Sequence, residues 1–595
     1  MRGLPAMADA DGVQNESDPV GTLRRATLAT LLLLVSTALG ALLIFPSPRY
    51  PGNLLYLTEL CARRQDIPVA LGLAGLFVAS GLLRAHPPAA RAMAEASGRR
   101  VAILVAGLVL GAWAIRVLVL FDHDFTRDEQ MASFDAAIYG AGHLFWRLPE
   151  AVRPLYAPLN DLFLFPVPDH SAWVSNYLPV NAAIRAMLGK VIPPALVSPL
   201  LTGMAGLLLW RVARRIWPDD RATQAVVLLC LAGSSQVVLT GTATFAMTTH
   251  LALNLLWLAC FLRGTRAGHA GAMITGLLAT GIHQPVFHPL FVLPFLDLLH
   301  RRRQWRLLAG YIAAYAAIGA FWLAWPHWIT AAIASGPGPG ALAGPTGLVD
   351  RLFALVAIAP NLDALWVMAG NLLRFCTWQH ALLVPLALVG ARKLAGTDDL
   401  ARALAGGVVL TVAAMTILLP PQGHGWGYRY LHGLIGSCCL LAGYGWRWLA
   451  ARGAAPVRAF QAATLVSLVV LLPLHALMVR GFIAPFAEAR QAVARTDADF
   501  VVFESGRIPF DHNFVSNRPD LGNRPLVLAG DVITPDGLAA LCPRHSLAFA
   551  DASEFAELSR YYEDPPRIGP GPAQIALRRA ATKAGCRIVP FGRAD

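Results

Sequence analysis

Asp128 and Glu129 are the adjacent residues of this 595-residue chain whose type and position best suit chemistry. They lie in the stretch FTRDEQMASFDAAIYGAG, directly after an apolar run and at the start of an amphipathic one. Carboxylates at a membrane edge are functional more often than those of ordinary loops. Asp128 could therefore have a functional role, and Glu129 could complete a two-carboxylate site. A helix cap at Asp128 is the structural alternative.

The residues after Asp128 recur at helical spacing. Asp135 and Tyr139 follow at intervals that place them with Asp128 on one face of a helix. A solvated helix face explains Asp135 equally well. The carboxylates that compete with this pair for a functional role are Asp122, Asp124 and Asp135.

Polar residues also punctuate three later boundaries between apolar runs. His250 ends the stretch GTATFAMTTH, His283 lies in GIHQPVFHP, and the pair Tyr428-Arg429 lies in PQGHGWGYRY. Arginine can bind a phosphate through two parallel hydrogen bonds, and a histidine beside a carboxylate can help to bind a phosphate or a metal ion. The structural alternatives are hydrogen-bonded interface histidines and an arginine that extends to the membrane surface.

These residues are embedded in a chain with the composition of a membrane protein. Hydrophobic residues make up 56% and charged residues only 14%, whereas soluble domains carry about 25% charged residues. Apolar runs near the ~20 residues that cross a bilayer recur along the chain. The sequence predicts thirteen spans, near residues 26–45, 67–83, 101–121, 191–210, 223–240, 245–262, 268–282, 285–299, 307–325, 379–396, 403–419, 429–446 and 459–478.

Basic residues orient these spans. With the N-terminus in the cytoplasm, the inside connections hold 20 Lys and Arg and the short outside loops hold four, as the positive-inside rule requires. The net charge of +13 is therefore explained by the membrane, and no basic stripe indicates nucleic acid. All four polar stretches then fall on the outer side, where they could converge on one cavity.

The span pattern predicts three regions. Residues 1–23 form a disordered lead, and residues 24–479 form the membrane domain with larger outer loops at 122–190 and 326–378. Residues 480–595 form a small α/β domain outside the cytoplasm, with strands at DFVVFE and PLVLAGD and a helix at ASEFAELSRYY. Cys542 and Cys586 are the cysteines of this domain. A disulfide between them is one hypothesis, and two separately buried thiols are the other.

Several enzyme classes lack their motifs here. The chain contains no Walker-type glycine loop, no G-x-S-x-G elbow, no H-E-x-x-H and no C-x-x-C metal pattern. ATP-driven transport, α/β-hydrolase, zincin and cysteine-zinc chemistry therefore have no support.

The order of the polar stretches resembles the membrane glycosyltransferases of the GT-C fold, which include protein O-mannosyltransferases and lipid A aminoarabinose transferases. The similar segments are the early D-E followed by GAGHLFWRLP, the run WVSNYLPVNAAIRAMLGKVIPPALVSPLLTGMAGLLLWRVARRIWPDD, GLLATGIHQPVFHPLFVLP and HGWGYRYLHGLIGSCCLLAGYGW. Together they cover roughly residues 100–450 in the family's order. The resemblance implies a bacterial inner-membrane protein with a periplasmic C-terminal domain.

The resemblance also implies an activity: transfer of a sugar from a polyprenyl-phosphate carrier to an envelope glycan, lipid or protein acceptor at the periplasmic face. Asp128 would activate the acceptor or hold a divalent metal ion, Glu129 would support it in either role, and Arg429 would face the donor phosphate. The other residues expected to bind substrate are Tyr177, His250, His283, Gln284 and Tyr428.

Two departures from the family pattern leave other functions open. Gln284 stands before Pro285 where relatives often have arginine, and the Tyr177-Leu178-Pro179 turn lacks basic or glycine-rich neighbours. The first favours a catalytically inactive sugar-binding scaffold. A flippase or transporter of lipid-linked sugar is the other alternative, although the sequence shows neither the internal repeat nor the mid-span charges of a transporter.

The topology yields a direct test. We expect alkaline phosphatase fused after residue 595 to be active, because an odd number of spans places the C-terminus outside the cytoplasm. Phosphatase activity of the fusion in whole cells measures this. A silent phosphatase together with a fluorescent cytoplasmic-type reporter at the same site would show that the number of spans is even.

Overall fold

The protein was analysed as a computed structural model. It describes residues 18–44, 59–80, 95–160, 162–165, 169–334, 362–419, 422–508, 510–562 and 567–592, together with the single residues 82, 93 and 167. Most of the predicted N-terminal lead and the Gly/Pro-rich part of the predicted loop at 326–378 lie outside these residues.

Helices dominate the described chain, because apolar runs in a bilayer must satisfy their backbone hydrogen bonds internally. The longer helices are α1 (Pro19–Ile44), α2 (Ile67–Ala79), α3 (Gly98–Ala114), α4 (Arg127–Gly140), α5 (Val180–Leu188), α6 (Pro194–Ile216), α7 (Arg221–Ala232), α8 (Ala246–Phe261), α9 (Arg266–Thr280), α10 (Phe287–Arg301), α11 (Trp305–Ile333), α12 (Leu362–Thr377), α13 (Leu383–Leu394), α14 (Asp399–Leu418), α15 (Ile435–Ala450), α16 (Val457–Val466), α17 (Leu472–Ala494) and α18 (Pro572–Lys583).

The protein is a multi-pass helical membrane protein. Within the described ranges, six helices are long and apolar enough to cross a membrane. Each of the thirteen predicted spans overlaps a helix, but the count of thirteen is not confirmed, because several of these helices are shorter than the ~20 residues of a full span. The predicted span 223–240, for example, is interrupted where Ser234 caps a new short helix, Ser235–Thr240.

Three boundaries differ from the prediction. Helix α1 already begins at Pro19, inside the predicted lead. Helix α12 lies within the segment predicted as an outer loop. The apolar helix Val457–Ala494 joins α16 and α17 and continues beyond residue 479, because Phe482 and Phe486 of its last part pack into the core of the C-terminal domain.

Glycines allow a close crossing between helices α13 and α15. Gly390 of α13 faces Leu441 of α15, and Gly445 of α15 faces Leu386 of α13. A Cβ atom added at either glycine would lie 2.1 Å from the facing carbonyl oxygen. Small residues at such crossings let helix backbones approach in a membrane, where the hydrophobic effect does not drive helix association.

The C-terminal domain contains a parallel sheet of four strands, as the α/β prediction required. The strands are β5 (Phe500–Phe503), β6 (Leu526–Ala529), β7 (Ser546–Ala550) and β8 (Arg587–Ile588), in the order β6-β5-β7-β8. The register pairs Phe500 with both Leu526 and Leu547. Strands β5 and β6 are buried throughout, which is typical of parallel strands covered on both faces. The four remaining strands form two short hairpins, β1 (Trp146–Arg147) with β2 (Ala172–Trp173) and β3 (His424–Gly425) with β4 (Gly427–Tyr428).

A disulfide joins Cys542 to Cys586, as one of the two hypotheses for these residues predicted. Their Cα atoms are 4.4 Å apart. The bond connects the end of the segment after β6 to the residue before β8, so it fastens the edge strand to the domain.

A buried ion pair holds the membrane domain together between distant segments. Arg374 of α12 and Asp66, just before α2, are 2% and 3% exposed, and Nη1 of the arginine donates to both carboxylate oxygens at 3.0–3.1 Å. Trp378 and Thr377 donate to the same carboxylate. A buried charge is tolerated only when it is paired and hydrogen-bonded in this way.

Removal of one partner of this pair should be severe. We expect Asp66→Ala to reduce the free energy of unfolding by about 3–5 kcal/mol, because Arg374 is left as an uncompensated buried charge. Asp297→Ala is the matched control: it breaks the half-exposed pair with Arg301, and such pairs contribute about 0–1 kcal/mol. Unfolding of the purified variants in detergent measures both changes, and equal losses would contradict the structural role of the Asp66 pair.

Candidate active site

Helix α4 begins with a capping box that accounts for Glu129. The Thr126 hydroxyl accepts from the Glu129 N–H at 3.4 Å, and the Glu129 carboxylate accepts from the N–H groups of Phe125 and Thr126 at 3.1 and 3.2 Å. This reciprocal arrangement satisfies backbone donors that have no partner within the helix. Thr126 is therefore the cap, so the helix-cap alternative for Asp128 is wrong. Glu129 turns toward the chain preceding the helix.

Asp128 lies at the meeting point of three segments. Its Oδ1 accepts a hydrogen bond from the Tyr177 hydroxyl at 2.5 Å, and its Oδ2 accepts one from Nη1 of Arg429 at 2.8 Å. Burial acts to raise the pKa of Asp128, but Arg429, His283 and Tyr177 together lower it below its usual range. Asp128 is thus held as a carboxylate.

Arg429 is delivered by the β3–β4 hairpin. Gly427 adopts a φ of +80°, and a Cβ atom there would lie 2.4 Å from the Gln236 side chain, so glycine is required at this turn. Buried Arg374 donates to the carbonyls of Gly425 and Gly427 at 2.5 and 3.3 Å. The ion pair with Asp66 is thereby connected to the hairpin that positions Arg429.

The guanidinium of Arg429 is only partly used. Its central carbon lies 4.6 Å from the ring centroid of Phe245, a cation–π distance. One N–H group binds Asp128, while the buried Nε finds no hydrogen-bond partner among the described residues. Since guanidinium carries five N–H donors in a fixed fork, Arg429 retains donors for an anionic ligand.

A small cavity of about 20 Å³, space for about one water molecule, lies beside Asp128. Its polar lining residues are Asp128, Asp135, Tyr177, Asn181 and His283. Its apolar lining includes Met131, Phe245, Met247 and Ile282. Small-molecule sites share this mixture of apolar wall and a few convergent polar groups, but they enclose roughly 300–1,000 Å³, so the cavity matches them in its lining and not in its size.

The four polar connections therefore converge as the span parity predicted. Asp128, Phe245 and His283 come from the first three connections and line the cavity, and Arg429 of the fourth binds Asp128. The His283 ring stacks on Tyr177 with centroids 4.5 Å apart. Burial lowers the pKa of His283 to about 4. Asp128 acts to raise this pKa and Arg429 to lower it, but both effects are smaller than that of burial. The imidazole is therefore neutral near pH 7.

Four of the predicted binding residues do not line this cavity: Arg429, which reaches it only through Asp128, and His250, Tyr428 and Gln284. His250 lies beside His288, with their ring centroids 6.3 Å apart. Tyr428 is fully buried, and its carbonyl accepts from Gln236. Gln284 is partly buried beside the cavity wall but does not contribute to its lining.

The rival carboxylates Asp122 and Asp124 have a structural role. Both bind the buried Arg116, at 2.5 and 3.1 Å, and Asp124 also accepts from Ser133. Arg116 in turn donates to the carbonyl of Thr242 at 2.7 Å. The group fixes the turn before α4 against the connection that carries Phe245.

Asp135 holds the loop that carries Tyr177. Its carboxylate accepts from the N–H of Ser175 at 3.0 Å and from the Ser175 hydroxyl. Burial raises the pKa of Asp135 to about 7, although the hydrogen bonds from Ser175 oppose this rise. Asp128 and Asp135 therefore lie on one face of α4, as predicted. Asp135 binds Ser175 and Asp128 binds Tyr177, so the two carboxylates hold both ends of residues 175–177.

Asn181 and Phe245 are lining residues that the sequence interpretation did not identify. Asn181 donates to the Thr244 carbonyl at 3.2 Å and accepts from Thr249 at 2.8 Å, so it joins α5 to the connection that carries Phe245. The signal in the sequence that could have identified Asn181 is an amide side chain within an apolar helix.

A metal ion does not fit the predicted Asp128–Glu129 pair. Asp128 is engaged by a guanidinium cation and Glu129 by backbone N–H groups. Among the described residues no group of three or more His, Cys, Asp and Glu side chains is arranged to hold a metal ion.

Comparison with known proteins identifies distant structural similarity only. No protein-family model and no curated protein sequence matches the chain. The chain is similar to the crystal structure of ArnT from Cupriavidus metallidurans bound to undecaprenyl phosphate, with 13% identity and a TM-score of 0.48 over 80% of this chain and 90% of that one. The apo structure of the same ArnT aligns with 14% identity and a TM-score of 0.39 over 83% and 90% of the two chains.

At these identities and TM-scores the similarity assigns neither an activity nor residue roles to this chain.

The pKa of Asp135 generates a pH prediction. A carboxyl group whose pKa rises from ~3.9 in the unfolded chain to about 7 in the folded protein stabilises the fold at low pH. That contribution is lost as the pH rises through 7. Asp135→Asn keeps an acceptor for Ser175 but does not titrate, so we expect its melting temperature relative to wild type to increase between pH 5 and pH 8.

Asp169→Asn is the control for this measurement. The pKa of Asp169 is lowered, mainly by a hydrogen bond from Ser171, so its removal gives no gain at alkaline pH. Melting curves of the two variants and wild type at several pH values decide the matter. A pH-independent difference between Asp135→Asn and wild type would contradict the raised pKa.

Proposed function

We propose that this protein is a glycosyltransferase that moves a sugar from a polyprenyl-phosphate carrier to an acceptor at the periplasmic face of the bacterial inner membrane. The observation that carries the proposal is the Asp128–Arg429 ion pair at the wall of a cavity in a membrane protein. Sugar transfer from a lipid phosphate needs these two groups side by side: a base for the acceptor and a cation for the departing phosphate.

The pairing of Asp128 with Arg429 suggests how binding of the donor makes Asp128 a stronger base. A donor phosphate that reaches Arg429 competes with Asp128 for the same guanidinium. Once the phosphate holds Arg429, Asp128 loses the cation that lowers its pKa and becomes a stronger base. Binding of the donor therefore activates Asp128, which is kept as a weak base in the absence of substrate.

In the transfer step, the bond that forms to the acceptor is matched by the bond that breaks to the phosphate. The acceptor hydroxyl oxygen attacks the anomeric carbon of the donor sugar as the bond from that carbon to the phosphate oxygen breaks. The hydroxyl proton passes to Asp128, and the bonding electron pair leaves with the polyprenyl phosphate. Arg429 stabilises the negative charge that develops on the leaving phosphate, and the Tyr177 hydroxyl orients Asp128 through its hydrogen bond.

The lipid nature of the carrier fits the setting of the site. A polyprenyl chain partitions into the bilayer, which places its phosphate at the membrane boundary where the connections of this protein meet. Undecaprenyl phosphate, the lipid bound in the ArnT structure, belongs to this chemical class. The acceptor is an envelope glycan, lipid or protein.

The alternatives receive less support from the described residues. The inactive-scaffold alternative relies on Gln284, where relatives often have arginine, but Gln284 does not line the cavity. Arg429 supplies the cation from another connection. For a flippase, no observation among the described residues identifies a second state of the membrane domain.

Two variants with opposite effects on phosphate binding test the proposal. We expect Arg429→Gln to weaken binding of undecaprenyl phosphate at least about tenfold, because a hydrogen bond to a charged group contributes about 1.5–3 kcal/mol. Asp128→Asn should retain or tighten that binding, since it removes the competitor for Arg429, but should reduce sugar transfer about 10²–10⁴-fold through loss of the base.

Binding is measured by native mass spectrometry of the purified protein in lipid nanodiscs. Transfer is measured by mass spectrometry of envelope glycans and lipids from a deletion strain complemented with each variant. Glu150→Gln, an exposed carboxylate on the same outer segment, is the control for both. Wild-type transfer by Asp128→Asn at normal abundance, or unchanged binding by Arg429→Gln, would overturn the assignment.

A further inference from the structure

The C-terminal domain reaches back to the helix that carries Asp128. Residues 511–519, called here the C-terminal clamp, contact the first turn of α4 at several points. The Asn513 side-chain oxygen accepts from the backbone N–H of Arg127 at 3.1 Å, and the Asn513 carbonyl accepts from the Gln130 amide at 2.7 Å. The Val515 carbonyl accepts from Nη1 of Arg127 at 2.9 Å.

These contacts satisfy groups that the helix cannot satisfy itself. The Arg127 N–H belongs to the first helical residue and has no acceptor within the helix. Thr126 already serves the Glu129 N–H, so Asn513 acts as a second cap supplied from 386 residues away. Asp128 is the next residue after Arg127, and its position depends on how this first turn is held.

The clamp is itself rigidly attached to the sheet. The Asn517 side chain pairs with both the N–H and the carbonyl of Val527 in β6, at 2.9 and 2.8 Å. Its amide also donates to the Leu159 carbonyl at 2.8 Å. The Phe514 ring stacks on Phe503 of β5 at 4.4 Å and on Phe486 of α17 at 4.9 Å. The sheet, α17 and α4 thus form one packed unit.

We infer that the C-terminal domain is a structural part of the active site and that Asn513 is a positioning residue for Asp128. This inference rests on the proposed function. Asn513 is not one of the residues that line the cavity, and its hydrogen bonds to the membrane domain go to Arg127 and Gln130, so it acts through the first turn of α4. Loss of the Asn513 side chain therefore displaces Asp128, the base. It leaves Arg429, the phosphate-binding cation, in place, because the β3–β4 hairpin positions Arg429 separately.

The test compares two residues that cap helices within the same domain. Asn513→Ala removes the additional cap of α4. Thr534→Ala removes the cap of the short helix Pro535–Ala539, where the Thr534 hydroxyl accepts from the Gly537 N–H, and among the described residues no hydrogen bond joins Thr534 to α4. We expect Asn513→Ala to lower the maximal rate of transfer about 10- to 100-fold, since a misplacement of about 1 Å can cost 10²-fold. Thr534→Ala should leave the rate unchanged.

Three readouts separate positioning from general stability. The melting temperature of Asn513→Ala should fall no further than that of Thr534→Ala, and its binding of undecaprenyl phosphate should equal that of wild type. Asn513→Asp keeps the acceptor oxygen, and a carboxylate is favoured at a helix N-terminus, so this variant should restore transfer to within about threefold of wild type, given that caps of these types differ by only tenths of a kcal/mol.

The outcomes distinguish this inference from the proposed function. If Asp128→Asn abolishes transfer but Asn513→Ala does not reduce it, or if Asn513→Ala and Thr534→Ala lose rate and melting temperature together, the positioning role is wrong and the proposed function stands. If Asp128→Asn itself retains transfer, both fail.

Discussion

The ion pair between Asp128 and Arg429 is the interaction around which the described structure is organised. The two residues are 301 positions apart and lie on unrelated elements, the first turn of a helix and the end of a β-hairpin. Each is held by its own set of buried hydrogen bonds, and the pair exists because those supports fix both partners at hydrogen-bonding distance.

Buried arginines provide most of that support. Arg374 connects Asp66 to the hairpin carbonyls, and Arg116 connects Asp122 and Asp124 to the Thr242 carbonyl. A guanidinium can serve several acceptors at once because it has five donors in a rigid fork and remains charged at any physiological pH. A lysine ammonium in either place would leave carbonyl or carboxylate oxygens unpaired in a medium of low polarity, which is costly.

The same low polarity makes the site chemically useful. Charges interact more strongly where water is scarce, so one guanidinium can both restrain a carboxylate and bind a phosphate. The Arg429 Nε–H, which donates to no described residue, is as important as the N–H group that donates to Asp128. An arginine whose N–H donors all had protein partners would have a purely structural role, like Arg374. Arg429 at the cavity edge instead retains donors for a ligand.

The amino-acid sequence determined the class of the protein. Long apolar runs with few charges must form membrane helices, whatever their neighbours, and alternating apolar strands and helices in the last hundred or so residues must form a small α/β unit. The structure confirms both. The helical face shared by Asp128 and Asp135 was predictable because it follows from local periodicity. Span parity assigned the four polar connections to one side of the membrane, but only the tertiary structure shows that they converge.

Only the tertiary structure decided what each polar residue does. Glu129 and Asp128 are neighbours with the same chemistry, yet one closes a capping box and the other faces Arg429. The span count and the boundary at residue 479 were also beyond the sequence, since helices end or continue according to what packs against them. Pairings such as Arg127 with Asn513 join segments hundreds of residues apart. No periodicity encodes them, because their geometry arises only when separate elements have packed together.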